Sequence, residues 1–203
     1  MKEILPVVYL ARHGETAWSL SGQHTGRTDI PLTAQGEENA TALGQRLAGL
    51  SFARVYSSDL LRQRQTCQLA GFGEYAEIDM DLVEWDYGDY EGLTTAEIRR
   101  DFDPDWQLFR DGCPGGESLA QVAARADVVI HRWRQIDGNI LAFSSGHFSR
   151  VLAARWCGVE VSFGQHLHLT TAALNVLGYE HSRVEPALRL WNDCRHVGVE
   201  DAR

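Results

Sequence analysis

A phosphoryl group needs donors for its oxygens, a nucleophile in line and an acid for the leaving oxygen, and this chain holds side chains for each part. The run Tyr9-Leu10-Ala11-Arg12-His13-Gly14-Glu15-Thr16 places arginine, histidine and glutamate at the mouth of a predicted strand. Gly14 is expected to let the backbone turn sharply, so that neighbouring side chains converge on one ligand. His13, neutral and held through its other ring nitrogen, would attack phosphorus, while Arg12 and Arg62 would clamp the oxygens. Glu84 would protonate the leaving alkoxide and later activate water. Asp79, Asp81, Asp86, Asp89 and Glu91 crowd Glu84 in the sequence, and like charges or burial would raise its pKa enough to keep a proton. Each piece also has a plainer reading: a structural strand-end histidine, a solvated arginine on a helix, a solvated acidic loop. A calcium loop fails at once, because Val83 stands where the third ligand is required.

The elements that must position these groups follow from periodicity and caps. Ile4 to Leu10 reads as a buried strand, and ligands of α/β sheets bind just beyond the carboxyl ends of strands. Ser19 to Leu32 is polar and punctuated by glycine, which predicts a long loop. Thr33 caps a helix through Ala40, Leu43, Leu47 and Leu50, whose apolar positions recur at helical spacing. Ala53 to Tyr56 is a short strand, and Ser57, Ser58 and Asp59 offer caps for a helix through Leu60, Leu61, Thr66 and Leu69. Glu77 to Trp85 is expected to be extended, followed by an acidic loop of fixed shape and a helix from Thr94 to about Phe102. The breaker Asp111 to Gly116 precedes an amphipathic helix, Glu117 to Trp133. Asn139 to Phe143 reads as a buried strand, running into Ser144-Ser145-Gly146-His147 and a helix, Phe148 to Trp156. Thr171 to Gly178 and Ala187 to Trp191 read as late strands toward an edge. Strands alternating with helices predict a layered α/β fold with a mainly parallel sheet. The pair His166 and His168 lacks a third ligand and is read as structural.

The 203 residues are 44% hydrophobic, enough for a sizeable core, and no repeat or low-complexity linker divides them, so one domain spanning 1–203 is expected. A net charge of -9 argues against nucleic acid or an anionic membrane as the main partner. Lys2 is the only lysine, so almost every cation is an arginine suited to bidentate phosphate binding. The four cysteines have no zinc spacing, which leaves no metal site and reduced thiols as the expectation. With no leader pattern and no long apolar run, a soluble cytoplasmic protein is expected.

Arg12-His13-Gly14-Glu15 after an N-terminal strand resembles the signature of the histidine phosphatase superfamily, which includes the phosphoglycerate mutases. Further motifs carry the same resemblance: Ser58-Asp59-Leu60 to Gln65-Thr66, Leu82-Val83-Glu84 to Glu91-Gly92, Pro114 to Ser118, and Arg150. It implies a three-layer α/β/α fold with a mainly parallel central sheet, and a phosphohistidine at His13. It also implies Glu84 as proton donor, Arg12 and Arg62 on phosphate, and Tyr87 among the substrate residues. Thr25 and Gly26 match loop positions that add hydroxyl and backbone donors to the phosphate, and Ser19 stands where asparagine is usual. Relatives carry a histidine and then glycine before Arg150; here Ser145 replaces that histidine, followed by Gly146, and His147 reads as a substrate contact. A serine keeps a hydrogen bond but loses the charge, an expected cost of roughly 10²-fold or more in rate. The likeness is strongest to the short acid and sugar-phosphate phosphatases that need no cofactor. It implies a phosphomonoesterase for small phosphate esters, homo-oligomers being left open. A phosphoglycerate mutase is the alternative, disfavoured because Asp103 to Gly112 supplies only Arg110 where an arginine pair is expected. A phosphate-ligand binding protein with weakened catalysis is a third reading, and Ser145 is its support.

Overall fold

The computed structural model describes residues 5–197. Its strands and helices follow one another as β1 (Val8–Arg12), α1 (Ala17–Ser21), α2 (Ala34–Leu47), β2 (Arg54–Ser57), α3 (Leu61–Leu69), β3 (Ala76–Ile78), α4 (Thr95–Asp101), α5 (Leu108–Asp111), α6 (Leu119–Arg134), β4 (Ile140–Ser144), α7 (Gly146–Trp156), β5 (Leu174–Tyr179) and β6 (Pro186–Asp193). One sheet runs β3-β2-β4-β1-β5-β6. Its first four strands are parallel, and β5 and β6 continue it antiparallel.

Alternation along the strands builds the layers. Val8, Leu10, Ile140 and Ala142 face one way, onto Val122, Ala126 and Val129 of α6 and Val151 and Leu152 of α7. Ala11, Val55, Leu141 and Phe143 face the other way, onto Leu43 and Leu47 of α2 and Cys67 of α3. Burying each large side chain of this kind stabilises the fold by about 1.5–3 kcal/mol, so strands covered on both faces must be apolar throughout, as β4 is. The result is the expected three-layer α/β/α arrangement.

Local chemistry sets the element ends. Thr33 caps α2 by accepting from the Gly36 amide, and Thr94 with Glu97 forms a capping box on α4. Several boundaries differ from the expected ones. Ile4 lies outside the described residues, and β1 starts at Val8 and runs on to Arg12. The start of the long loop is helical, because Thr16 and Ser19 box the N-terminus of α1. Of the segment from Glu77 to Trp85 only Glu77 and Ile78 pair as strand, within Ala76–Ile78; Asp79 then accepts from the Asp81 amide and folds Met80–Leu82 into a tight turn. Helix α6 begins after Ser118, whose box with Gln121 outcompetes a start at Glu117. No side chain of Ser57, Ser58 or Asp59 caps α3; Asp29, from the long loop, accepts from the Leu61 amide at 2.6 Å instead.

Candidate active site

The strand order brings distant sequence together at one edge. Arg12 pairs with Ser144 across β1 and β4, and the His13 amide donates to the Ser144 carbonyl at 3.0 Å. Continuing that register sets His13 beside Ser145, whose backbone is still extended. Strand β2 flanks β4 on its other side and leads into Arg62 and Gln63 on α3. This is the carboxyl edge of the parallel strands, where α/β sheets bind ligands.

His13 is 4% exposed, and its Nδ1 lies 2.7 Å from the Gly14 carbonyl. A carbonyl only accepts, so Nδ1 carries the proton and Nε2 keeps its lone pair. Burial pushes the imidazole well below its ordinary pKa, and Arg62 and then Arg12 push it further. The neutral form that a nucleophile requires is therefore the resting form. Gly14 serves a purpose other than the expected turn. Its φ is not in the left-handed region, and a Cβ there would lie 2.4 Å from the Gly36 carbonyl oxygen. Glycine is required because the strand end crosses α2 backbone to backbone, an approach locked by the bond from the Thr33 amide to the Glu15 carbonyl.

Arg62 is fully buried and gives three hydrogen bonds to the carbonyls of Thr25, Gly26 and Thr28. Arg12 donates to the Leu169 carbonyl. Nε of each arginine is buried without a partner, and neither guanidinium has a carboxylate within ion-pair distance among the described residues. Burial lowers the pKa of both, opposed first by the field of Glu84. Gly146 lets the start of α7 lie against Arg12, since a Cβ there would sit 3.1 Å from Nε and Cζ.

Glu84, 4% exposed, is fixed by three backbone amides: Trp85 and Phe148 donate to Oε1 at 2.9 and 2.7 Å, and His147 donates to Oε2 at 3.0 Å. Two of these come from the N-terminus of α7, a natural seat for a carboxylate. The acidic crowd expected around Glu84 is dispersed, four of its five members being drawn to other partners. Asp79 and Asp81 reach Arg132, Asp86 reaches Arg27, and Glu91 accepts from the amides of Gly26 and Thr28.

Those last bonds show how the loop holds itself. The Gly26 amide is committed to Glu91, and the Thr25 hydroxyl faces the Gln23 carbonyl at 3.3 Å. Ser19 uses its hydroxyl in the α1 capping box, although it lines the neighbouring cavity. The polar groups of Ser19, Thr25 and Gly26, expected on phosphate, make these bonds within the loop and to Glu91.

His147 shares a 2.6 Å hydrogen bond with the Tyr87 hydroxyl and lies 13° from parallel to His24, centroids 5.9 Å apart. Tyr87 is held in its phenol form by burial and then by Glu84, and burial lowers His147 well below the ordinary imidazole value. His24 and His147 border a cavity of about 540 Å³ that Arg12 also lines. Sequence reasoning passed over several residues here. His24 sits in the glycine-punctuated loop, which was its one signal. Arg150, named in the sequence only as a motif position, stacks its guanidinium 4.6 Å over Phe109, and Arg99 and His166 also line the cavity. His166 was read as structural, yet it borders this cavity. No cluster of three or more His, Cys, Asp or Glu able to hold a metal occurs among the described residues.

A buried, neutral histidine close to two arginines that lack carboxylate partners, at the carboxyl edge of a parallel sheet, defines a phosphoryl-transfer enzyme. Residues 8–194 match the family model of the histidine phosphatase superfamily (branch 1), and the chain belongs to that family as a histidine-type phosphatase. It is 43% identical to an acid phosphatase of Mycobacterium tuberculosis over 176 residues, covering 85% of this chain and 86% of that protein. It is 38% identical to the sedoheptulose 1,7-bisphosphatase of Saccharomyces cerevisiae, covering 79% of this chain and 71% of that one. A solved structure of a Mycobacterium tuberculosis open reading frame superposes with a TM-score of 0.87 at 39% identity, covering 92% of this chain and 97% of that chain.

Proposed function

We propose that the protein hydrolyses small phosphorylated metabolites through a phosphohistidine at His13. Nε2 of His13 attacks phosphorus while Arg12 and Arg62 hold the oxygens through the N–H groups left unpaired. Glu84 protonates the departing alkoxide, and its carboxylate then takes a proton from the water that attacks the phosphohistidine. The observation that carries the reading is that fully buried Arg62 and half-buried Arg12, neither with a carboxylate partner among the described residues, both lie close enough to the buried imidazole of His13 to hold it neutral. Such charges are too expensive to bury unless an anion is meant to join them. Brief incubation with a radiolabelled phosphate ester is expected to leave acid-labile label on His13. Label retained by His13→Ala would place the nucleophile elsewhere.

The cavity suggests what the ester carries. In a chain of net charge -9, its walls hold Arg12, Arg99, Arg150, His24, His147 and His166, and no carboxylate. That lining suits an alcohol bearing a second anionic group, and the likeness to a bisphosphatase agrees with it. Arg150→Met is expected to raise KM for a sugar bisphosphate roughly tenfold, while changing that for an aryl monophosphate far less. Equal changes for both would remove Arg150 from substrate selection. The mutase reading gains nothing from Arg110, which is tied to Asp111 and is not part of the cavity wall.

A further inference from the structure

Ser145 stands where the family resemblance implies a second histidine, and the structure shows what lies against it. Gln63 is fully buried on α3, directly after Arg62, and its Nε2 donates to Oγ of Ser145, itself fully buried. Oε1 of Gln63 has no partner. Ser145 gives no capping bond to α7, and Oγ accepts its one hydrogen bond from Gln63, so the hydroxyl proton is uncommitted. The register of β1 and β4, which ends with Arg12 beside Ser144, continued by one residue sets Ser145 beside His13 on the same side of the sheet. A buried glutamine with half its amide unpaired is an unstable arrangement in an apolar interior and calls for a polar neighbour.

We infer that Gln63 is a positioning residue: by donating to Oγ it turns the Ser145 proton toward the phosphoryl oxygens. Two neutral side chains in series thus supply the donor that the second histidine supplies in relatives. Hydrogen bonds in series strengthen one another, because an oxygen that accepts becomes a better donor. The inference rests on the proposed phosphoryl site, since without a phosphoryl group beside His13 the proton has no target.

The two side chains act as one unit, so their deletions should not add. Gln63→Leu and Ser145→Ala are each expected to lower kcat by roughly tenfold, and the double variant by about the same factor rather than a hundredfold. Inhibition by vanadate, which mimics the five-coordinate transition state, should weaken in parallel with kcat, while inhibition by inorganic phosphate changes less than about threefold. A purely structural role would alter both inhibitors and thermal stability together. Because Gln63 fills the space beside Ser145, Ser145→His alone is expected to bring no gain, and Ser145→His with Gln63→Ala to exceed the parent enzyme. Unchanged or raised kcat in Gln63→Leu would overturn the inference, a rise meaning that the serine proton points to Gln63. Additive losses would overturn it as well. Should Gln63→Leu fail to fold, Ser145→Ala and the histidine pair of variants still decide. A parent enzyme that neither turns over an aryl phosphate nor binds vanadate would instead overturn the phosphatase reading itself.

Discussion

Glu84 has two tasks in this structure. Its field reaches Arg12 and Arg62, and it also accepts the amides of His147 and Phe148 that open α7. Replacing it with glutamine puts an amide NH₂ where one of those N–H groups points, so part of any loss in Glu84→Gln is a disturbed helix start. That part is the same for every substrate. The chemical part is not, since a good leaving group needs little protonation. Glu84→Gln is therefore expected to slow alkyl phosphates at least tenfold more than aryl phosphates in the phosphorylation step, timed by rapid quench. Equal losses across leaving groups would leave Glu84 with the helix alone.

At the scale of elements, the meeting of β1 and α2 decides where His13 sits. Gly14 and Gly36 pass so closely that a Cβ on Gly36 would lie 2.2 Å from the Glu15 carbonyl oxygen. Both obstacles are backbone, which cannot rotate away as a side chain can. Gly14→Ala and Gly36→Ala are each expected to destabilise the fold by about 1–3 kcal/mol, the usual cost of overpacking. Gly36→Ala should also depress kcat although it touches no reacting atom, because α2 would push the strand end that carries His13. Thermal melts with kcat measured on the folded fraction test this, and a stable, fully active Gly36→Ala would show that the junction is slack.

Across the whole molecule, four imidazoles are held below their ordinary pKa, chiefly by burial: His13, His24, His147 and His196. The unfolded chain protonates its histidines as pH falls through about 6.5, whereas these stay neutral in the folded state. The unfolded state then binds more protons, so stability is present above that pH and lost as pH drops below it. Urea midpoints are expected to be level near pH 8 and to fall steadily between about pH 6.5 and 5. A midpoint unchanged over that interval would mean that the site opens to water and that His13 is not kept neutral by burial.

The sequence by itself determined what short-range rules can encode. A strand covered on both faces must be apolar, so the lead into Arg12 and the segment before Ser145 were legible, as were the caps at Thr33 and Thr94. The histidine motif was legible because its residues are contiguous. The tertiary structure alone decided partnerships between segments far apart in the chain. Strand order places β4 beside β1 and so sets Ser145 next to His13, and no local pattern encodes strand order. It also settled that Glu91 takes the loop amides expected for phosphate, that Gly14 answers a close approach and not a turn, and that Gln63 stands against Ser145. Of the chain's eight histidines, the ones that border the cavity beside Arg12 are His24, His147 and His166. Hydrogen-bond partners are chosen by what lies within about 3 Å in the folded molecule, and that distance is fixed only when the layers close.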